Sequence, residues 1–282
     1  MPELPEVETI KRELQSDVLN HKIISCKILR KDIIGYPEPE MFCKSILNQK
    51  IVEISRRAKY LILELSDKMK IIFHLRLSGA IIYRETFSGP SHDSGKLKEK
   101  FARLVIQLDS GFIIFYEPRA LGKVYLLAEN EKPPVLKGFF KLSCEPISPE
   151  FDFHYLRNKL KGRKTSIKQL LLDQSICAGV GNIYSDEALF RAGIRPTRRA
   201  HTLKADEIIK LLIALKDVLR KGIDEFGTTV SDYKRTNGKS GNFQKFLYVY
   251  AQEGKPCRLC GRKIVVKKLG SRATRYCPNC QK

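Results

Sequence analysis

The chain opens Met-Pro-Glu-Leu-Pro-Glu-Val-Glu-Thr, and two of these residues can do chemistry together. With a residue as small as Pro2 in second place, the initiator Met is readily removed, and Pro2 becomes the N-terminus. Its secondary amine then has a pKa of about 8, far below that of a lysine side chain, so much of it is unprotonated at neutral pH. Such an amine attacking a sugar C1′ gives an iminium ion, an electron sink that splits one hard displacement into easier steps. Glu3, next in the chain, could protonate the departing sugar oxygen or shuttle protons. Without that chemistry the same segment reads as a proline-containing leader into a helix.

A second constellation closes the chain. Cys257 and Cys260 form one C-x-x-C pair, Cys277 and Cys280 another, with sixteen residues between them. Tetrahedral zinc needs four soft ligands. One knuckle supplies two from a tight turn, and a β-hairpin brings the second knuckle opposite. Gly261 and Pro278 suit such turns. A redox dithiol is disfavoured by two paired knuckles flanking a hairpin-sized insert. Four thiolates leave no open coordination position, so the single zinc expected here holds structure, and no catalytic metal is expected. From Lys255 to Lys282 the segment carries nine Lys/Arg and no acid, which favours contact with phosphate over a merely solvated face. The remaining cysteines, Cys26, Cys43, Cys144 and Cys177, are scattered singly and read as small buried hydrophobes.

Charge narrows the partner. Lys+Arg number 52 against 31 Asp+Glu, a formal net charge of +21 that argues for a polyanion, either nucleic acid or an anionic membrane. No run of 18 or more apolar residues exists, which excludes a spanning helix, and the N-terminus lacks the pattern of a secretory signal. The expected setting is therefore cytoplasmic and nucleoid-associated, a reducing compartment in which structural disulfides are not expected. Nucleic acid becomes the favoured partner, and a monomer is the default.

Three groups of elements have to position these residues. From Met1 to about Leu136 the chain offers β-rich runs, namely Lys22–Leu29, Tyr60–Leu65, Lys70–Leu75, Leu104–Leu108 and Phe112–Tyr116. One helix opens the region, with Pro5 in its first turn and Glu6 and Glu8 where the helix dipole favours acids. Ser88–Lys100, rich in Gly, Ser and Lys, reads as a mobile loop, and Glu131–Glu150 as a proline-bearing linker. Helices follow over Ser166–Leu172 and Tyr184–Ala192, the latter stopped by Gly193. A longer one is expected from a Thr202 cap to Gly222, with Ile208, Leu211, Leu212, Leu215, Val218 and Leu219 at helical spacing. The polar stretch Gly227–Asn242 reads as a solvated loop. The expected fold is α+β and multidomain, with an N-terminal β-sandwich led by a helix over 1–134. A helical domain over 150–242 and a β-hairpin zinc finger over 248–282 complete it.

With these motifs in order, the chain resembles the bacterial formamidopyrimidine-DNA glycosylases, the enzymes that remove 8-oxoguanine, over essentially its whole length. The opening Pro-Glu-Leu-Pro-Glu-Val-Glu-Thr matches, and Leu4 separates it from the sibling endonuclease VIII group, which usually has Gly there. So do Arg56-Arg57-Ala58-Lys59-Tyr60-Leu61, Gly179-Val180-Gly181-Asn182-Ile183-Tyr184, Gly227-Thr228-Thr229 and Arg272-Ala273-Thr274. The resemblance implies Pro2 as nucleophile, Glu3 as general acid/base, Lys59 in the lyase steps, and Arg272 on a phosphate near the lesion and linked to the last elimination. It implies a helix–two-turn–helix motif around Gly179–Asn182, with Lys164, Asn182 and His74 touching phosphate and Gly227–Asn242 covering an extruded base. It also implies excision of oxidised purines from double-stranded DNA, followed by β,δ-elimination at the abasic site.

The pattern is broken where a wedge has to fill the gap left by the extruded nucleotide. The family's Met position is Leu77, and its Asp-Pro-Arg-Arg-Phe-Gly stretch reads Glu117-Pro118-Arg119-Ala120-Leu121-Gly122. Arg119, which faces the orphaned partner base by resemblance, is kept, while the aromatic becomes Leu121, which wedges but stacks poorly. Lys100 stands where the family has a DNA-contacting histidine. Two alternatives stay open: a sibling enzyme for oxidised pyrimidines, and a catalytically silent protein that binds lesions or abasic sites. Retention of Pro2, Glu3 and Lys59 together argues against the silent reading, since binding alone needs none of them.

Overall fold

The structure is a computed structural model that describes residues 2–87, 99–230 and 233–282. Its contacts divide the chain into two compact units, Met1–Phe140 with Glu225–Asn242, and Lys141–Asp224 with Phe243–Lys282.

The first unit begins with helix α1 (Leu4–Val18), followed by β1 (Ile23–Ile28), β2 (Ile34–Tyr36), α2 (Pro39–Ile46) and β3 (Ile51–Arg57). Strands β4 (Tyr60–Leu65), β5 (Lys70–His74), β6 (Ala80–Arg84), β7 (Ala102–Leu108), β8 (Gly111–Tyr116) and β9 (Lys123–Leu127) complete two sheets. One sheet runs β1-β7-β8-β6 and the other β2-β9-β5-β4-β3, antiparallel except for the β2–β9 pair. Period-two alternation explains the sandwich. Leu61, Leu63 and Leu65 of β4 point into one core with Ile71 and Phe73 of β5 and with Leu104, Ile106, Ile113 and Phe115 from the other sheet. The alternate residues Ile62, Ile72, Tyr125 and Leu127 form a separate cluster on the outer face with Leu136 and Phe139. That cover comes from the segment expected to be a linker, which forms a short helical turn and α3 (Lys137–Phe140).

Helix α1 joins the inner core through Val7, Ile10, Leu14 and Val18, a single stripe at helical spacing. Burying four such side chains contributes roughly 6–12 kcal/mol before the entropy of ordering them is subtracted. The polar stretch after Asp224 departs from its reading as a solvated loop. Tyr233 is 2% exposed within the same core, and Thr228 and Thr236 are buried. The contacts group 225–242 with the sandwich, where the α1 residues Glu6 and Glu13 bind it. Of the loop expected over Ser88–Lys100, residues 88–98 lie outside the described residues; Glu99 and Lys100 form part of a 3-10 turn.

One expectation is corrected here. Cys26 and Cys43 are joined in a disulfide, rather than standing as two separate reduced thiols. Helix α2 packs on β1 and sets their Cα atoms 5.4 Å apart, inside the range a disulfide spans.

The second unit contains α4 (Phe153–Leu160), α5 (Ile167–Leu172), α6 (Asn182–Arg191), α7 (Ala205–Asp224) and the hairpin β10 (Val265–Leu269) and β11 (Arg272–Tyr276). Ser166 caps α5 and forms a capping box with Gln169. Helix α7 differs at both ends. Thr202 turns its hydroxyl back to the Arg199 carbonyl inside a 3-10 turn, and Glu207 instead accepts from the Lys204 N–H at the helix start. Gly222 lies inside the helix against the Tyr184 ring, where a Cβ would come within 2.6 Å of Cε1. Packing, not helix termination, is what that glycine serves. Among the described residues, no helix is long and apolar enough to cross a membrane.

Candidate active site and zinc centre

Sheet register gathers most of the expected residues of the first unit at one end of the sandwich. Tyr60 pairs with Arg57 on β3 and with His74 on β5, and His74 pairs with Lys123 at the start of β9. Lys59, His74 and the two loops at 75–79 and 117–122 therefore lie at the same end of the strands. In the other sheet Ala80 and Ala102 both pair with Tyr116, which brings the residues beside them, Gly79 and Phe101, to Glu117 at that same end.

Pro2 is buried, and Glu3 is 1% exposed as the N-cap of α1. Glu3 donates its backbone N–H to Glu6 Oε2 at 2.7 Å and its side chain accepts from the N3 backbone, so the helix start is closed by a reciprocal capping box. The other oxygen of Glu6 accepts the Thr228 N–H at 2.7 Å, which ties the 227–229 turn to the residues following Pro2. Further along α1, Glu13 accepts from Arg235 and from both the N–H and the hydroxyl of Thr236. Glu8 binds Arg56 Nε at 2.9 Å, and Arg56 also donates to the Ala58 carbonyl at 3.0 Å. That relay fixes the tight turn bearing Lys59, in which Ala58 has φ +52°. Burial alone would push the Glu8 carboxyl up, but its hydrogen bonds to Arg56, Lys11 and Arg12 outweigh it and hold the group below its ordinary value.

His74 stacks on Tyr60 with ring centroids 4.4 Å apart, and its buried Nδ1 has no hydrogen-bond partner. Burial, reinforced by the charges of Arg76 and Lys59, pulls its pKa down to about 3. At neutral pH the ring is uncharged and can offer a phosphate only a neutral N–H. Leu77 is half-buried, Lys100 and Arg119 are exposed, and Leu121 is 46% exposed at the tip of its loop.

In the second unit, Lys164 is exposed in the turn before α5, and Asn182 opens α6 just after the Gly179–Gly181 turn. Asn182 donates through Nδ2 to the Ala273 carbonyl, one residue from exposed Arg272, while its Oδ1 has no partner. The residues behind this arrangement were not singled out from sequence. Lys168 and Asp186, both fully buried, form a 2.6 Å ion pair. Lys168 also binds the Asn182 carbonyl and the Ser185 hydroxyl, and Asp186 accepts the Arg275 N–H of β11 at 3.1 Å. Burial pushes the Asp186 carboxyl up, against the pull of Lys168. Glu187, equally buried, accepts the backbone N–H groups of Tyr248, Val249 and Tyr250, which set the chain's entry into the finger. A sequence signal existed for this pair of acids: two adjacent carboxylates inside an apolar helix require buried donors.

The four cysteine sulfurs of the finger lie within 4.8 Å of one another. Cys260 and Cys277 are 3.5 Å apart and Cys257 and Cys280 3.9 Å. A tetrahedral zinc with bonds of about 2.3 Å sets its sulfurs about 3.8 Å apart, so the cluster fits the ion. A backbone N–H from Arg262 leads in lowering the Cys260 thiol to about 6, ready to bind as thiolate. Zinc here is structural, held by Cys257, Cys260, Cys277 and Cys280.

Comparison with known proteins agrees with this geometry. The formamidopyrimidine-DNA glycosylase N-terminal domain matches residues 1–124, the H2TH domain of the same enzymes 142–234, and the zinc finger found in FPG and IleRS 254–282. A formamidopyrimidine-DNA glycosylase of Pelotomaculum thermopropionicum is 41% identical, covering 100% of this chain and 99% of its own length. One from Desulfitobacterium hafniense is 40% identical over the full length of both. Among solved structures, MutM (FPG) of Thermus thermophilus superimposes with a TM-score of 0.87 at 33% identity over 99% of this chain and 98% of its own. A Lactococcus lactis FPG mutant in complex with Fapy-dG-containing DNA gives 0.88 at 33% identity over all of both chains. The chain belongs to the formamidopyrimidine-DNA glycosylase family.

Proposed function

We propose that this base-excision repair glycosylase removes oxidised purines, 8-oxoguanine and formamidopyrimidines, through its N-terminal proline and then cuts the abasic site by β,δ-elimination. The observation that carries the reading is the frame around the N-terminus. Pro2 and Glu3 are buried at the head of α1, and Glu6 ties that head to the 227–229 turn. A solvated leader would not need its second and third residues packed and capped in this way.

With Met1 removed, the Pro2 nitrogen attacks C1′ of the damaged nucleotide as the bond to the base breaks. Glu3 is assigned the proton given to the ring oxygen as the sugar opens, leaving an iminium between Pro2 and C1′. Loss of a C2′ proton expels the 3′-phosphate, a second elimination expels the 5′-phosphate, and water frees the proline. Lys59, at the turn fixed by Arg56, is the cation assigned to these lyase steps. In the second unit Lys164, Asn182 and Arg272 are assigned to phosphates, and the finger's zinc holds Arg272 on its hairpin. The target nucleotide has to leave the duplex, with Leu77, Arg119 and Leu121 filling the gap and Lys100 and His74 contacting the strand. The protein acts as a monomer on duplex DNA.

Borohydride reduction tests the nucleophile. Met1-processed protein mixed with a duplex carrying 8-oxoguanine opposite C is expected to yield a covalent adduct mapped to Pro2, absent in Pro2→Gly and in Met1-retaining protein. An adduct on an abasic duplex but not on 8-oxoguanine would keep the lyase and overturn the lesion class. No adduct on either would favour the silent DNA-binding reading.

A further inference from the structure

Two loops carry the residues assigned to the wedge, and one buried carboxylate joins them. Glu117 follows β8 directly and is 0% exposed. Its Oε1 accepts the Ser78 hydroxyl from the loop after β5 and the Arg119 N–H at 3.1 Å from its own loop. Its Oε2 accepts the Gly122 N–H at 2.7 Å. Three donors thus converge on two oxygens, and they sit beside Leu77 on one side and on either side of Ala120-Leu121 on the other. The fit is close. A Cβ on Gly122 would lie 2.7 Å from the Phe115 ring and 2.9 Å from Glu117 Oε2, so only glycine lets the loop approach the carboxylate. Ala120 takes φ +52° between the two backbone donors, a strained turn that the carboxylate helps to hold.

We infer that Glu117 is a positioning residue whose carboxylate latches the Leu77 loop to the Arg119–Leu121 loop, so that both tips enter the duplex as one rigid wedge. The inference rests on the proposed glycosylase reading and adds to it a residue that touches neither DNA nor the reacting atoms. Chemically the carboxylate is required because all its partners donate. An amide in its place offers one acceptor oxygen and turns an N–H toward donors. Of the three donors to Glu117, Ser78 comes from the Leu77 loop, so removing its hydroxyl breaks the carboxylate's bond across the loops while leaving the bonds to Arg119 and Gly122.

The test uses full-length, Met1-processed, zinc-loaded protein and compares wild type, Glu117→Gln and Ser78→Ala on two substrates. The first is a duplex with 8-oxoguanine opposite C, with 2-aminopurine beside the lesion to report base opening. The second is a single strand containing a preformed abasic site, which needs the nucleophile but no wedge. The expected result is a fall of about tenfold or more in single-turnover excision and in the fluorescence rise on the duplex, with cleavage of the single strand within about twofold of wild type. Ser78→Ala should show the same split in weaker form. Equal losses on both substrates would mean that Glu117 only supports the fold and would overturn the inference, as would unchanged excision in both variants. Wild type that cleaves the abasic strand but opens and excises nothing from the duplex would instead overturn the functional reading, and this one with it.

Discussion

At His74 the chemistry of a residue is set by what surrounds it. The unfolded chain takes up a proton on this ring as pH falls below about 6.5, while the folded ring stays neutral down to about 3. The unfolded state therefore binds more protons across that window, and stability is lost as pH falls, by about 1.4 kcal/mol for each pH unit. His74→Phe keeps a ring for Tyr60 to stack on and removes the buried, unpartnered Nδ1. Urea unfolding at pH 7 and pH 5 is expected to show a shallower pH dependence in this variant, by about one proton's worth. An identical slope in both proteins would mean that the ring titrates normally in the folded state. Leu121 poses the complementary case, an exposed residue whose type is set by what it will touch. Half-exposed aliphatic carbon at a loop tip can part a base step but gives little stacking energy. Leu121→Phe is therefore expected to alter the ratio of single-turnover excision opposite C to that opposite A, because an aromatic stacks differently against the two gaps. Equal ratios in the two proteins would remove partner-base selection from this position.

Between elements, the decisive interactions are buried charges. Lys168 on α5 holds Asp186 on α6, and Asp186 holds β11. Lys168→Met leaves a buried carboxylate with backbone partners but no cation, at an expected loss of about 3–5 kcal/mol in the denaturation of the second unit. The double variant Lys168→Met with Asp186→Leu is expected to recover most of that loss, since neither charge then remains to be solvated. A double variant as unstable as the single one would show that the β11 hydrogen bond, not the ion pair, carries the effect. These pairs explain what was legible beforehand. Tyr60–Leu65 and Phe112–Tyr116 announce strands because short runs rich in Ile, Leu and Phe are a local property, and the cysteine spacing announces its own metal. Lys168 and Glu117 were unreadable because a charged residue in a helix or loop is ordinarily solvated, and only tertiary packing puts it inside. The short strands Ile34–Tyr36 and Ala80–Arg84 were missed for a related reason, as each becomes regular only by pairing with a distant neighbour. Cys26 and Cys43 fall in the same class: α2 folding back on β1 makes them a pair.

Across the whole molecule, a net charge of +21 repels itself and favours contact with a polyanion. The finger concentrates that charge on the least self-sufficient piece of the chain. Its core is a small cluster of Phe190, Val249, Cys257, Ile264 and Cys277 with Tyr248 and Cys280 at its edge, three of its members being zinc ligands. Too little apolar surface is buried there to hold the hairpin without the metal, as for other small zinc modules. Burial and neighbouring thiols push Cys277 and Cys280 up, so without zinc these thiols stay protonated at neutral pH and supply no electrostatic clamp of their own. Arg272, Lys267 and Lys268 are exposed on the two strands that the metal staples together. Each phosphate that such a cation neutralises contributes about one unit to the slope of log affinity against log salt. Stripping the zinc with a chelator is therefore expected to weaken binding to an abasic-analogue duplex and to flatten that slope by about one to three units. Lys267→Ser with Lys268→Ser in zinc-loaded protein should produce part of the same flattening without loss of metal. If affinity falls after chelation while the slope stays fixed, the finger's cations are not on phosphates, and the zinc supports the fold alone.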